Sequence, residues 1–541
     1  MLRRLLPLAL LMAAAPGPLR AQSGAAPLTD RERAVHLLSR FSCGVRAVDV
    51  ERLLEIGADA WLDEQLAPGP LRPVELARRL EKLSSLRMSP QEVEELTYLE
   101  LPIDATRADR IARDQRRQIP KRELLLSLAL RSVESERQLE EVLCDFWRNH
   151  FNVSYTKGWP AHLWINDYER TVVRGHALGS FADMLWASAH HPAMLHYLDN
   201  ALSRRPPSSA ELKKIELRVR EETGSKERGE EAAAIAAQRG LNENYARELL
   251  ELHTLGVDRT YRQKDVVAVA SALTGWGIAD GEGGDLGFAF DPGRHIDEDQ
   301  RFLGHVLRRD RGEGPGQGER VLEIIARHPD TAEFVATKLV RYFVDDRPPP
   351  GLVKEVARTF QKREGDIPAM VRTIVESEEF WRREHYQAKF KTPREFLDSA
   401  LRVTRAEVET ADAYHVALRS MGQPTYHCDD PTGWYDTADA WLDPGVLAKR
   451  WEVALQLAAG GLEGIRIPDS FYGGLEDGDS PLNWMQAMVR EVLPGGASTR
   501  TLAMLHEVVR EHGREGEAPD VRELGPRVLG LLLGSPEFQR Q

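Results

Sequence analysis

The 541-residue sequence is poor in cysteine, in long apolar runs and in net basic charge. Its three cysteines, Cys43, Cys144 and Cys428, allow at most one disulfide, and none of their spacings is that of a zinc site. After residues 1–21, no stretch reaches the roughly 18 consecutive apolar residues of a membrane-spanning helix. The formal net charge of −13 argues against a nucleic-acid-binding protein, which needs a basic face.

Several catalytic signatures are also missing from the sequence. It contains no Gly-x-Ser-x-Gly nucleophile elbow, no phosphate-binding loop and no His-Glu-x-x-His metal motif. These absences argue against the common serine hydrolases, phosphate-loop enzymes and zinc proteases. The sequence by itself therefore leaves both the metal and the cofactor unknown.

The chain begins with the features of a secretory signal peptide. Arg3 and Arg4 give a basic start, residues 5–15 form a short apolar run, and small residues surround a predicted cleavage point near Ala21. The run is too short to span a bilayer. The cleavage region contains no cysteine, so a lipid anchor is not expected. The arginine pair leaves both the general and the twin-arginine export routes open. We therefore expect an exported, soluble protein in the periplasm or outside the cell.

Helical periodicity dominates the rest of the sequence, and we find no convincing run of alternating apolar residues that predicts a strand. The pattern predicts an all-α fold: one large multi-helical domain over residues 29–541, with long irregular loops and little or no sheet. Residues 203–240 are densely charged after a Pro-Pro-Ser-Ser break, and we expect an exposed, partly helical, protease-sensitive excursion. Residues 278–320 are rich in glycine and predict a second, irregular excursion.

Residues 122–151 are predicted to form one long helix. Its apolar stripe recurs at helical spacing and ends in a histidine: Leu139, Val142, Leu143, Phe146, Trp147 and His150. The adjoining segment 146–170 concentrates aromatic and amide side chains. It is either the packed end of a helix or the wall of a pocket, and in the second case Trp147 and Asn149 are candidates for binding substrate.

Residues 241–257, LNENYARELLELHTLGV, are predicted to form another helix with a polar arc. Within about 100° of that arc lie four side chains: Asn244, Arg247, Glu248 and Glu251. In one interpretation the arc is a solvated face with a salt bridge, and His253 on the opposite side is a core histidine. In the other, the two carboxylates do acid–base chemistry or bind a metal, oriented by the arginine and the asparagine.

Eight strings of the sequence occur in the order in which they appear in a known family: HLLSRFSCG, FWRNHF, HHPAMLHYLDN, NENYARELLELHTLGV, DVVAVASALTGW, HPDTAEFVATKLVRYFVDDRPP, KTPREFLDSALR and MGQPTYHCDDPTGW. On these strings the chain resembles the bacterial domain of unknown function 1800 (DUF1800) family, from about residue 30 to the C-terminus. The resemblance implies an exported, mostly helical protein, but it carries no established chemistry.

The family resemblance also suggests a partner. Members are often encoded beside a second exported family, domain of unknown function 1501 (DUF1501), which resembles sulfatases and alkaline phosphatases. Two strings depart from the family pattern. FSCG has Cys43 where the family usually has Phe-Gly, and HIDEDQRFLG has Ile296 between His295 and Asp297, which weakens a site in that loop.

The strings contain polar and aromatic side chains that packing alone would not require, and the resemblance therefore favours a functional role for them. The candidate catalytic residues are Glu248, Glu251, His150, His253 and Arg247. The candidate substrate-binding residues are Asn149, Asn244, Trp147 and Trp276.

Two functional hypotheses follow from these residues. The first is an exported hydrolase or other polymer-modifying enzyme with a carboxylate site on a helix. The second is a non-catalytic partner or binding module that assists a sulfatase-like exported protein of the DUF1501 family. Since His150 and His253 each end an apolar stripe, we expect both to point inward and to meet near one polar cluster. A separation of more than about 15 Å would exclude a shared pocket.

Overall fold

The structure, a computed structural model of the full chain, describes residues 26–67, 69, 73–237, 240–279, 286–312, 314–473, 480–512 and 521–541. The predicted signal peptide lies outside these residues. Helices account for 64% of the chain, and the strands form only a few short pairs in the part described, so the fold is mainly all-α as predicted. Within the same ranges, no helix is both long enough and apolar enough to cross a membrane.

The N-terminal part of the chain is a series of short helices: α1 (Asp30–Phe41), α2 (Ala47–Ile56), α3 (Ala58–Leu66), α4 (Val74–Glu81), α5 (Pro90–Thr97), α6 (Arg107–Arg117), α7 (Ile119–Glu134) and α8 (Gln138–His150). Local sequence fixes several of the starts. Thr29 and Glu32 form a reciprocal capping box at α1, in which each side chain bonds the other residue's backbone N–H.

The prediction of one long helix over residues 122–151 is wrong, because the chain breaks between α7 and α8. The hydroxyl of Ser135 accepts a hydrogen bond from the backbone N–H of Arg137, and Ser135 itself is extended. A serine that bonds its own neighbourhood competes with the helical hydrogen-bond ladder. The break allows α8 to take a direction of its own.

The central part contains seven further α-helices: α9 (Ala161–Tyr168), α10 (Phe181–His190), α11 (Pro192–Tyr197), α12 (Ser209–Thr223), α13 (Lys226–Ala237), α14 (Asn244–Glu248) and α15 (Gln263–Ala272). Two of them continue as π-helices, α9 into Glu169–Arg174 and α14 into Leu249–Thr254. The expected excursion at 203–240 is a helical hairpin of α12 and α13. Gly229 permits their close approach, since a Cβ there would lie 2.6 Å from the carbonyl oxygen of Glu216.

The C-terminal part is again helical: α16 (Gly316–Ala326), α17 (Pro329–Phe343), α18 (Pro350–Lys362), α19 (Ile367–Glu376), α20 (Pro393–Val403), α21 (Asp412–Ser420), α22 (Pro444–Ala458), α23 (Asp469–Gly473), α24 (Pro481–Val492), α25 (Thr499–His512) and α26 (Val521–Gly534).

Three antiparallel pairs of short strands accompany the helices: β1 (Trp276–Ile278) with β2 (Phe288–Phe290), β3 (Gln300–Phe302) with β4 (His305–Leu307), and β5 (Glu407–Val408) with β6 (Ile465–Arg466). Two of the pairs lie in the glycine-rich region 278–320 or at its edge, for which the sequence predicts irregular loops. Strands of two or three residues are too short to display a periodicity of two.

The apolar residues form two cores. One is built from helices between α1 and α19, and the other from α20 to α26 with part of the N-terminal region. Helix α7 belongs to both, since Leu124 and Leu128 face the first core, and Leu130 and Val133 face the second. The boundary between the cores, beside α7, α8 and α20, is where the charged interior described next is found.

Candidate functional site

A small pocket of ≈ 50 Å³ lies where α8, α17, α20 and the segment 423–436 meet. Its lining is mainly polar and aromatic and includes Asp145, Arg148, Asn149, Asn152, Lys338, Tyr342, Arg394, Tyr426, Trp434, Tyr435 and Asp436. Tyr435 is 64% exposed, so the pocket reaches the surface beside it.

Two amides on and just after α8 hold the segment 423–436 in place. The side chain of Asn149 donates to the carbonyl of Trp434 at 2.8 Å and accepts from its N–H at 2.7 Å. Asn152 donates to the carbonyl of Asp430 at 3.0 Å. Gly433, at φ +77°, lets the backbones approach, since a Cβ would lie 2.4 Å from the carbonyl oxygen of Asn149. Asn149, a predicted substrate-binding residue, therefore lines the pocket with its amide already committed to a structural role.

Lys338 and Asp436 both line the pocket, and neither side chain has an ion pair among the described residues. Among the described residues the Lys338 ammonium has no hydrogen bond and no ion pair, and its ring contact is with Phe334 at 5.8 Å. Burial lowers the pKa of Lys338 to about 8, and Asp436 only partly opposes that shift. A lysine with such a pKa is partly neutral near physiological pH and can accept or donate a proton.

Beside Lys338, a chain of alternating charges crosses the boundary between the two cores. In order along the chain of contacts it comprises Arg131, Glu141, Arg174, Glu169, Arg148, Asp145, Arg394 and Asp398. Arg148 and Glu169 form the central pair through two hydrogen bonds of 2.9 Å. The hydroxyl of Tyr426 donates to Glu169 at 2.6 Å. The four positive and four negative groups balance, so the chain contributes no net charge to the pocket.

The chain of charges shifts the pKa values of its members according to their partners. Burial raises the pKa of Glu169, but the attraction of Arg148 and its hydrogen bonds outweigh burial and bring it to about 2. For Asp398 burial dominates, and its pKa is raised to about 6. Glu169 is therefore a fixed anion, whereas Asp398 titrates close to neutrality.

The structure brings His150 and His253 together. Their ring centroids are 6.2 Å apart, well inside the limit of about 15 Å set above. Nε2 of His150 donates to the carbonyl oxygen of His253 at 3.0 Å, which leaves its Nδ1 as an unprotonated and unpartnered acceptor among the described residues. Burial lowers the pKa of both rings, that of His253 to about 3. Both are neutral core histidines, and neither lines the pocket.

The predicted polar arc lies at the surface, not in the pocket. Arg247 forms ion pairs of 3.3 Å with Glu251 and with Glu243. Asn244 donates to the carbonyl of Leu198 at 3.1 Å. Segment 241–257 is not one regular α-helix, because α14 passes into the π-helix at Leu249.

Glu248 is the member of the arc that keeps functional potential. It is half-buried, and among the described residues its carboxylate has no hydrogen bond or ion pair. Burial raises its pKa, and the nearby carboxylates of Glu251 and Asp430 add to the effect. Asp430 belongs to the segment 423–436, so Glu248 lies near that segment without lining the Lys338 pocket.

The two predicted tryptophans are core residues. Trp147 is completely buried against Phe146 and His150, and Trp276 is buried against His190. Aromatic side chains at the pocket are instead Phe146 of α8, Tyr342 of α17, and Tyr426, Trp434 and Tyr435 of the segment 423–436.

A signal for Lys338 was present in the sequence. It occupies an otherwise apolar stripe of α17, three residues after Val335 and four before Tyr342, where a lysine is unexpected. The charged face of α8 carries a similar signal, since Asp145 and Arg148 lie three residues apart and share one side of the helix.

One group of possible metal ligands occurs among the described residues. Ligand atoms of Glu379, Glu384 and His385 lie within 4.8 Å of one another. Arg382 lies 3.1 Å from Glu379 and 3.7 Å from Glu384, so a cation already compensates both carboxylates. His295 and Asp297 are engaged separately and do not form a shared metal site. His295 Nδ1 donates to the carbonyl oxygen of Thr274, and Asp297 accepts from the backbone N–H of Arg311.

Comparison with known proteins identifies a family for the chain. The profile described as "Protein of unknown function (DUF1800)" matches residues 36–540. The chain belongs to the DUF1800 family. No match was found among curated proteins or among solved structures. In this DUF1800 protein, four of the eight strings quoted above supply most of the pocket lining: those that contain Arg148, Lys338, Arg394 and Trp434.

Proposed function

We propose that the protein is an exported enzyme, a hydrolase or other polymer-modifying activity, that acts on a small anionic substituent of a larger substrate. The observation that carries the proposal is the Lys338 ammonium, which lines a pocket without a hydrogen bond or ion pair in the described part of the chain. An unpaired, partly desolvated cation is stabilised by an anion, and a lysine of depressed pKa serves as a general acid, base or nucleophile.

The dimensions of the pocket support a substituent, not a whole sugar or peptide. Sites for complete small molecules usually have volumes of about 300–1,000 Å³, whereas this pocket measures ≈ 50 Å³. A carboxylate or sulfate group is of suitable size and charge. The rest of the substrate would lie outside, where Trp434 and exposed Tyr435 offer aromatic surface.

Within this proposal the roles expected from the sequence are redistributed. Lys338 takes the acid–base role that the sequence suggested for Glu248 and Glu251. Glu248 is kept as a second acid–base group, since its pKa is raised and its carboxylate is unpaired in the described part of the chain. His150 and His253 support the wall behind the pocket and do not touch the substrate.

The proposal is tested by competitive acetylation of the folded protein, read by mass spectrometry at individual lysines. We expect the acetylation rate of Lys338 to rise to half its maximum near pH 8, and to fall when acetate, sulfate or phosphate is added. Exposed Lys354 is the internal control and should not be protected by the anions. A Lys338 that no anion protects would overturn the anionic-substituent hypothesis.

A second candidate function is that of a binding partner for a sulfatase-like exported protein of the DUF1501 family. The hairpin of α12 and α13 supports it, because α12 has no buried residue and the hairpin exposes the apolar side chains of Leu217 (43%) and Ile235 (52%). Co-purification with the DUF1501 protein of the same bacterium tests this role. We expect Leu217→Glu with Ile235→Glu to abolish co-purification and Lys338→Met to leave it unchanged.

A further inference from the structure

A second cavity, of ≈ 290 Å³, lies on the opposite side of the charge chain from the Lys338 pocket. The Arg148–Glu169 pair separates the two, since Arg148 lines the pocket and Glu169 lines the cavity. One wall of the cavity is apolar and is formed by Ala77, Leu80, Leu86 and Leu124. Its volume approaches that of a site for a complete small molecule, about 300 Å³ or more.

Arg131 gives the cavity an incompletely compensated positive charge. Its side chain is only 20% exposed, and its nearest carboxylate oxygen, on Glu141, is 3.7 Å away. Glu141 is already engaged by two hydrogen bonds from Arg174, at 3.1 and 2.6 Å. The guanidinium of Arg131 makes no hydrogen bond in the described part of the chain, so its N–H groups are available to an anion in the cavity.

Asn166, which lines the cavity, has an unsatisfied hydrogen-bond acceptor among the described residues. The residue is 2% exposed, and its Nδ2 donates to the hydroxyl of Ser85 and to the carbonyl of Pro120, both at 3.1 Å. Its Oδ1 is buried and receives no hydrogen bond from any described residue. Because buried acceptors are almost always satisfied, the missing donor points to a ligand N–H or O–H.

We propose that this cavity binds a small organic acid with an apolar side chain and an N–H or O–H donor, of the N-acyl amino acid type. The carboxylate pairs with Arg131, the donor bonds Asn166 Oδ1, and the apolar side chain packs against Leu80 and Leu124. The site is separate from the Lys338 pocket and does not depend on the function proposed for it.

Isothermal titration calorimetry with three related probes tests each element of the proposal. N-acetyl-L-leucine carries the acid, the N–H and the apolar group. Its methyl ester lacks the charge, and 4-methylpentanoate lacks the N–H. We expect N-acetyl-L-leucine to bind, the ester to bind at least about tenfold more weakly, and 4-methylpentanoate to bind several-fold more weakly. Equal affinity for acid and ester, or no binding of the acid at millimolar concentrations, would overturn the proposal.

Variants locate the binding. Ala77→Phe should fill the cavity and abolish binding, whereas the matched control Val74→Phe, on the same helix at a position 66% exposed, should bind normally. Arg131→Gln should weaken binding at least about tenfold. Circular dichroism checks that each variant is folded, and if Arg131→Gln is not, the pair of phenylalanine variants decides. Binding unchanged in Ala77→Phe would overturn this site. Lys338→Met should bind normally, which separates this test from the fate of the Lys338 pocket.

Discussion

Two regions of the protein carry similar charged side chains in opposite surroundings. On the polar arc of α14 and the following π-helix, Arg247 is 38% exposed and forms ion pairs of 3.3 Å with two carboxylates. In the charge chain, Arg148 is 6% exposed and holds Glu169 through two hydrogen bonds of 2.9 Å. An exposed pair contributes about 0–1 kcal/mol, whereas breaking a buried pair costs about 3–5 kcal/mol.

A charged helical face therefore does not by itself mark a site. The arc is tolerant because water screens it, and the centre of the charge chain is intolerant because Arg148 and Glu169 are partners that water cannot replace. Lys338 belongs to neither class, since it is partly buried and lacks an ion pair among the described residues. A charge that burdens the fold without a compensating contact is typical of a functional group.

The largest expected loss of stability comes from a substitution that breaks the charge chain. Glu169→Gln keeps the shape of the side chain but removes the anion between Arg148 and Arg174, so two buried cations each lose one of their two carboxylate partners. We expect the free energy of unfolding, measured in urea, to fall by about 3–5 kcal/mol. Glu251→Gln is the matched control on the arc and should lower the free energy of unfolding by less than about 1 kcal/mol. Equal effects in the two variants would erase the distinction between the regions.

The next effect has the opposite sign. Lys338→Met removes a charge that the fold has to bury, so we expect the variant to be more stable than the parent by about 1–3 kcal/mol at pH 7. Because the pKa of Lys338 is lowered to about 8, the unfolded chain binds more protons than the folded one above that pH. Parent stability therefore gains from this group between about pH 8 and 10.5, and the variant should lack that gain.

Urea unfolding across this pH range measures the Lys338 effect. Lys354→Met, at an exposed lysine, is the control and should leave stability unchanged. If Lys338→Met destabilises the protein at pH 7, the lysine is a structural element and the proposed role of its free amine fails.

A smaller effect at neutral pH is expected from His253→Leu. Burial lowers the pKa of His253 to about 3, so the neutral ring contributes stability above pH 6.5 that is lost as the pH falls towards 3. The variant should lose stability less steeply over that window, and its slope should differ from that of the parent by at most about 1.4 kcal/mol per pH unit. The bond from His150 remains available, because it ends on the backbone carbonyl of residue 253. An unchanged acid slope would contradict a buried neutral ring at this position.

Sequence periodicity was sufficient for the helical fold, because apolar stripes such as that of α8 report burial directly. It also placed His150 and His253 inward and close together. It missed the break at Ser135, since local side-chain hydrogen bonds of Ser135 and Gln138 accompany it, and it missed the short strands, which have no measurable period.

The candidate site was harder to predict because its charges are buried. A polar helix face looks the same in sequence whether it meets water or other charges. The sequence therefore predicts a site at the exposed arc of Arg247 and none at the buried Arg148. Arg148 pairs with Glu169, which is 21 residues further along the chain, and it shares Asp145 with the distant Arg394. Only the tertiary fold brings residues so distant in sequence together.

The smallest expected effects distinguish two neighbours on the arc. Glu251→Gln removes an ion pair with Arg247 and should cost less than about 1 kcal/mol, a loss that should shrink further in high salt. Glu248→Gln removes a carboxylate whose pKa is raised by burial and by Glu251 and Asp430, so its charge is mildly unfavourable at pH 7. We therefore expect Glu248→Gln to leave stability unchanged or slightly higher. Urea unfolding of both variants at low and high salt provides the measurement. A cost above about 2 kcal/mol for either one would mean that the arc is a buried structural network, and the contrast with the charge chain would then be lost.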